Sequence, residues 1–273
     1  MMLLALVGCA FRPDLRAGDA VEVPPVPCEV TDTEVACEHA TVVFHAGFAA
    51  RDVHVQHPVG DRPVAGWPTV IMYQGSFDTR GVWTGADGDT FGGFHQARVA
   101  AALLDAGFAV LAPETRLGGF SYWDTNVLPW SFAWTLSADH RLVKGILRAI
   151  DDGQLGPLDP DRLFATGISS GGYMTSRMAV AYPGRFRALA IASGSYATCA
   201  GPACIVPALP ADHPPTLFLH GEADAVVPIG TMTTYADALE ADGVEVERVT
   251  DPDAGHAWFE AAPEAVVGWF SGR

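Results

Sequence analysis

The stretch Leu163-Phe164-Ala165-Thr166-Gly167-Ile168-Ser169-Ser170-Gly171-Gly172-Tyr173-Met174-Thr175-Ser176-Arg177-Met178-Ala179-Val180 decides the reading of this chain. Its opening, Leu163 to Thr166, is an apolar strand-like run, and from Tyr173 onward the pattern is helical. Between them stands Gly167-Ile168-Ser169-Ser170-Gly171, the single G-x-S-x-G of the sequence. A strand that turns sharply into a helix with serine at the apex is a nucleophile elbow. The flanking glycines are needed because the tight turn leaves no room for a β-carbon beside it. Ser169 is the expected nucleophile.

An elbow of this kind requires an acid and then a histidine further along the chain. Thr216-Leu217-Phe218-Leu219-His220-Gly221 reads as a buried strand, with Glu222-Ala223-Asp224-Ala225-Val226-Val227-Pro228 as the loop leaving it. Asp224 is the expected acid, with Glu222 as a minor alternative. The next strand, Val244 to Val249, runs into Asp251-Pro252-Asp253-Ala254-Gly255-His256-Ala257-Trp258. His256 is the only histidine after Asp224, so it is the expected base. Asp251 and Asp253 are rival acids, but they lie too close in sequence to approach the ring of His256 from behind.

Three groups are needed because a serine hydroxyl is a weak nucleophile until a base takes its proton. The acid holds the imidazole tautomer and stabilises the imidazolium. The oxyanion that develops needs preorganised donors. The backbone N–H of Ser170 is one expected donor. The other is the N–H of Ser76, in the loop Gln74-Gly75-Ser76-Phe77 that follows the strand Thr69 to Tyr73.

Eight strand-like segments are expected, at about 35–44, 51–57, 69–74, 108–113, 163–168, 188–193, 216–221 and 244–250. The first two alternate and suit an antiparallel hairpin. The later ones are continuous apolar runs, as in a parallel sheet buried on both faces. Helical patterns lie between them, at about 94–106, 137–151, 171–182, 231–242 and 261–271. The three candidate residues thus follow strand ends, where open α/β sheets place their sites.

With 273 residues, 49% of them hydrophobic, the chain can bury one large core. Residues 35–273 are expected to form a single catalytic domain, preceded by an extension over 10–34. The segment at 194–215 is short and does not suit a lipase-like helical lid. The insertion at 114–136 gathers Phe120, Tyr122, Trp123, Trp130, Phe132 and Trp134. It reads either as a local aromatic core or as rings lining a substrate cleft, with Trp123 and Trp130 as candidate contacts.

Residues 1–9 end in Leu6-Val7-Gly8-Cys9. That run resembles a bacterial lipobox, which would make it part of an export signal with Cys9 as the lipidation site. It is too short to span a bilayer. The other cysteines form two local pairs, Cys28 with Cys37 and Cys199 with Cys204, as expected of a disulfide-bonded exported protein. No Cys-x-x-Cys or His-Glu-x-x-His occurs, and His54 and His57 have no further ligands nearby, so no metal is expected. A net charge of −16 argues against nucleic acid as a partner. It also disfavours anionic polysaccharide as a substrate and would keep an exported protein soluble.

Gly167-Ile168-Ser169-Ser170-Gly171-Gly172-Tyr173-Met174, His220-Gly221-Glu222-Ala223-Asp224 with Val227-Pro228, and Gly255-His256-Ala257-Trp258 resemble the extracellular poly(3-hydroxybutyrate) depolymerase and feruloyl esterase group of α/β-hydrolases. The likeness covers about residues 65–270. It implies an α/β-hydrolase fold with a mostly parallel eight-stranded sheet and helices on both faces. It also implies a Ser169, Asp224, His256 triad, no cofactor, and ester hydrolysis through an acyl-enzyme, on polyester or on aryl-acyl groups. Trp258 would then border the acyl pocket. The protein is expected to act as a monomer on small or polymeric esters. The Gln74-Gly75 opening departs from the group's usual His-Gly. Cutinases and poly(ethylene terephthalate) hydrolases share this mechanism. A serine peptidase or an acyltransferase could use the same trio, whereas a surface lipoprotein that only binds would not need it.

Overall fold

The computed structural model describes residues 21, 23, 25–46, 49–77, 82–199 and 204–273. The expected signal at 1–9, with Cys9, lies outside them. Among the described residues the strands are β1 (Glu29–Val30), β2 (Glu34–Ala36), β3 (Ala40–Ala46), β4 (Ala49–Gln56), β5 (Trp67–Tyr73), β6 (Thr84–Ala86), β7 (Ala109–Pro113), β8 (Leu158–Ile168), β9 (Ala188–Ala192), β10 (Thr216–Gly221) and β11 (Val246–Asp251). The α-helices are α1 (Gly93–Asp105), α2 (Ala138–Asp151), α3 (Ser170–Ala181), α4 (Ile229–Ala241) and α5 (Ala262–Ser271). None is long and apolar enough to cross a membrane.

Eight strands form one sheet in the order β11-β10-β9-β8-β5-β7-β4-β3. The pairings from β11 to β7 are parallel, and only β4 and β3 are antiparallel. Residues of β5 alternate between its two faces. Ile71 and Tyr73 pack with Leu142 and Ile146 of α2 and Met174 of α3. Val70 and Met72 pack with Val99 and Leu103 of α1 and Phe270 of α5. Helices therefore cover both faces, which is why the parallel strands read as unbroken apolar runs. Met232, Tyr235 and Leu239 of α4 pack on Phe218 and Ile191, on the face that also carries α2 and α3.

Two features lie beyond the expected elements. A second, three-stranded sheet, β1-β2-β6, draws residues 29–36 into the fold, so strand pairing begins before the expected domain start at 35. Cys28 is bonded to Cys37 at its base, and Cys199 is bonded to Cys204 in the loop after β9. The insertion at 114–136 carries only short 3₁₀ turns, and its aromatics divide. Trp123 and Trp134 are buried in the main core, while Phe120, Tyr122 and Phe132 are exposed.

Candidate active site

Strand β8 ends at Ile168 and α3 begins at Ser170, which leaves Ser169 alone at the corner with φ 56° and ψ −123°. That backbone is costly for a residue with a side chain and is held by its surroundings. The Ser169 N–H donates to the Ala192 carbonyl at 3.1 Å, and its own carbonyl accepts from Tyr173 at 3.0 Å. A β-carbon on Gly171 would stand 2.1 Å from the Tyr73 carbonyl oxygen, and one on Gly167 would stand 2.5 Å from it. Only glycine fits at either position, as the motif requires.

Asp224 lies in the loop after β10. Its Oδ1 accepts from the backbone N–H groups of Val226 and Val227, both at 2.8 Å. Its Oδ2 lies 2.7 Å from Nδ1 of His256. The two loops meet because Gly221 has no side chain, since a β-carbon there would stand 2.3 Å from the carbonyl oxygens of Ala254 and Gly255. The Ala223 N–H donates to the Ala254 carbonyl at 3.0 Å and closes the contact. The rival acids are engaged elsewhere. Glu222 accepts from Thr250, and Asp251 Oδ1 caps the N–H groups of Asp253 and Ala254.

Ser169 and His256 line one cavity of about 880 Å³. Its remaining wall includes Gly75, Ser76, Phe77, Phe91, Ile168 and Val226. Ser76 Oγ donates to Ser170 Oγ at 3.0 Å, so the two residues expected to supply the oxyanion donors are in side-chain contact. Ser170 also opens α3, where free N–H groups and the helix dipole favour negative charge. This is a volume large enough for a sizeable ligand.

The expected aromatic contacts are corrected. Trp258 is 2% exposed and packs in the core, where its Nε1 donates to Gln96 Oε1 at 2.7 Å. Trp123 is fully buried, with its Nε1 donating to the Gln74 carbonyl at 2.9 Å. Neither of them lines the cavity, and neither does Trp130. Both indoles satisfy their N–H on a neighbour in the core and expose no face to ligand. The rings that do line the cavity are Phe77, 58% exposed, and Phe91, 56% exposed. Phe91 meets His256 edge-on at 5.7 Å between centroids. Both phenylalanines have positive φ, 63° and 56°, so three strained residues, Ser169 among them, share one cavity. Their left-handed backbone is invisible in composition or periodicity.

The two histidines near the second strand do not come together. His54 Nε2 contacts Glu114 Oε1 at 3.0 Å, whereas His57 Nε2 contacts the Leu155 carbonyl. Among the described residues no group of three or more His, Cys, Asp or Glu side chains could hold a metal ion.

Comparison with known proteins places this arrangement. The chain is 48% identical over 270 residues to a poly(3-hydroxyoctanoate) depolymerase of Pseudomonas fluorescens, across 98% of this chain and 96% of that protein. Among solved structures it is similar to an α/β serine hydrolase without a lid from Xanthomonas campestris, at 20% identity and a TM-score of 0.57, over 91% of this chain and 95% of that one. It is also similar to a truncated carbohydrate esterase from gut microbiota, at 15% identity and a TM-score of 0.63, over 90% and 98% of the two chains. These structural likenesses carry the fold. The profile of the dienelactone hydrolase family matches residues 63–268, which takes in Ser169, Asp224 and His256. With that match and the depolymerase relative, the chain belongs to the dienelactone hydrolase family and is an ester hydrolase with the α/β-hydrolase fold.

Proposed function

We propose that this enzyme is a monomeric serine esterase that depolymerises polyesters of 3-hydroxyalkanoic acids through an acyl-enzyme on Ser169. The observation that carries the reading is the Asp224–His256 contact at 2.7 Å, with His256 and Ser169 on the wall of one largely apolar cavity. Since Asp224 occupies Nδ1, the Nε2 atom of His256 is the one available to take the Ser169 proton as Oγ attacks the ester carbonyl. Asp224 stabilises the imidazolium, and the backbone N–H groups of Ser170 and Ser76 receive the oxyanion. His256 then gives the proton to the leaving alcohol. Water repeats the sequence on the acyl-enzyme and frees the acid.

The substrate class is supported by the 48% identical depolymerase, whose name specifies poly(3-hydroxyoctanoate). An apolar cavity of this volume suits a polyester unit with a medium alkyl side chain better than the short side chain of poly(3-hydroxybutyrate). Glu34 and Asp89 on the cavity wall disfavour anionic acyl groups. Export is part of the reading. Two disulfides suit an oxidising compartment, and Leu6-Val7-Gly8-Cys9 would supply the lipid attachment at Cys9.

The test is clearing of emulsions of poly(3-hydroxyoctanoate) and of poly(3-hydroxybutyrate), with mass analysis after a fluorophosphonate probe. The reading expects faster clearing of the octanoate polymer, label on Ser169, and neither effect in Ser169→Ala. Clearing by a folded Ser169→Ala variant, or label elsewhere, would overturn it. A mature chain beginning with diacylglycerol-modified Cys9 is the expected product of export, and a mature chain that retains residues 1–9 would reject the anchor.

A further inference from the structure

The family-matched residues begin at 63, yet part of the cavity wall comes from before them. Strand β2 is hydrogen-bonded to β6, with Val35 opposite Gly85 and Ala36 opposite Thr84. Glu34, Val35 and Ala36 from β2, and Thr84, Gly85 and Ala86 from β6, all line the cavity that holds Ser169 and His256. The arm is a hairpin closed at its own base by the Cys28–Cys37 disulfide, and it is tied to the body by the β2–β6 pairing and by the Cys37 N–H donating to the Trp83 carbonyl at 2.8 Å. Beneath it, β6 lies so close to α1 that a β-carbon on Gly85 would stand 2.5 Å from the Gly93 carbonyl oxygen. The wall is therefore braced from both sides, and the side chains it presents at Ala36 and Ala86 are small.

We propose that this disulfide-closed arm is the specificity wall of the enzyme, seating the unbranched alkyl side chain of the substrate and setting its accepted length. The assignment rests on the esterase reading of Ser169. A braced apolar wall gains affinity with each methylene buried against it, while a larger residue on it shortens the space. Ala36 is the position to enlarge. It lines the cavity, yet its side chain is otherwise exposed, so a bigger one meets the cavity before it meets the core.

The experiment measures kcat/KM for p-nitrophenyl acetate, butanoate, hexanoate and octanoate. In the unaltered enzyme the value should rise about fourfold per added methylene between butanoate and octanoate. Ala36→Trp should lower the octanoate-to-acetate ratio at least tenfold and move the optimum to a shorter chain. The double variant Cys28→Ser with Cys37→Ser should flatten the rise, because the hairpin that forms the wall is no longer closed at its base. Val64→Trp, on a fully exposed side chain away from the cavity, should leave the ratio unchanged. Circular dichroism and melting establish that each variant folds. Should Ala36→Trp fail to fold, the double cysteine variant and Ala86→Val decide the matter. Folded arm variants whose ratio stays within twofold of the unaltered enzyme would overturn the arm's role and leave the esterase reading standing. An unaltered enzyme that cleaves none of the esters and takes no fluorophosphonate label would overturn the esterase reading itself.

Discussion

His220 and Asp224 face each other across the turn that leaves β10, with Nε2 of His220 3.5 Å from Oδ2 of Asp224. That is the same oxygen that His256 Nδ1 reaches at 2.7 Å. The His220 Nε2 also lies 2.9 Å from the Val227 carbonyl, and both side chains are wholly buried. Burial is the main influence that holds the His220 ring below its ordinary value of 6.5, which keeps it neutral with one N–H to share between the two oxygens. Asp224 is thus wedged between two imidazoles, that of His256 on the cavity wall and that of His220 behind it.

From that relationship His220 is a positioning residue. His220→Ala should lower kcat about 10- to 100-fold with KM little changed, since a carboxylate displaced by a fraction of an ångström misorients His256. His220→Gln, which retains a donor, should recover part of the loss. Asp224→Asn should cost on the order of 10⁴-fold by favouring the wrong tautomer of His256. Steady-state kinetics on a short-chain ester read all three. Equal rates in His220→Ala and the unaltered enzyme would remove the positioning role.

Strain at the elbow gives a separable prediction. Ser169→Gly should abolish turnover while stabilising the fold by about 1–2 kcal/mol, because glycine adopts φ 56° without the penalty a side chain incurs. Ser169→Ala should abolish turnover and leave stability nearly unchanged. Chemical denaturation of both variants makes the comparison, and a less stable glycine variant would contradict a strained serine.

Burial lowers the affinity of His57, His213 and His220 for protons in the folded state. The unfolded chain binds protons at these sites near 6.5, and the folded chain resists them. Their contribution to stability is therefore complete above about pH 6.5 and is lost as pH falls below it. Melting temperature should be level from pH 8 to 7 and decline steadily toward pH 5. His57→Gln should reduce the slope of that decline. A melting temperature that climbs on acidification would show that other groups dominate.

Each disulfide closes a short loop, with sequence separations of 9 and 5. In the chain-entropy account each should contribute roughly 2–3 kcal/mol. Reductant should therefore lower the melting temperature measurably, and alkylation of the native protein should find no free thiol among these four cysteines. Four alkylatable thiols in the native protein would contradict both bonds.

Arg177 on α3 ties the insertion to the elbow helix. It donates to Thr125 Oγ1 at 3.0 Å, to the Tyr196 hydroxyl at 3.1 Å and to the Ser131 carbonyl at 2.8 Å. Its guanidinium also stands over the rings of Trp134 and Tyr196. Arg177→Ala should cost about 3 kcal/mol, because buried acceptors lose a charged donor and a void remains. Denaturant titration measures it, and a loss below 1 kcal/mol would mean that water replaces the guanidinium freely.

What the sequence determined by itself is whatever the backbone dictates locally or in chain order. Gly167 and Gly171 around Ser169 state the elbow, since no other residue tolerates that turn. Apolar runs such as Ala188 to Ala192 state a sheet covered on both faces. Asp224 and His256 follow their strands in the one order the fold permits, so their approach could be expected before any coordinate. Only the tertiary structure decided which aromatic rings meet the cavity. Trp258 and Trp123 carry the same apolar signal as Phe91 and Phe77, yet the first two close the core and the latter two face the cavity. Packing around each site makes that choice, through contacts with residues far away in sequence such as Gln96 and Gln74. The arm at 29–36 follows the same logic. Three short residues of β2 carry no period to read, and they become a cavity wall only where β6 and a disulfide hold them.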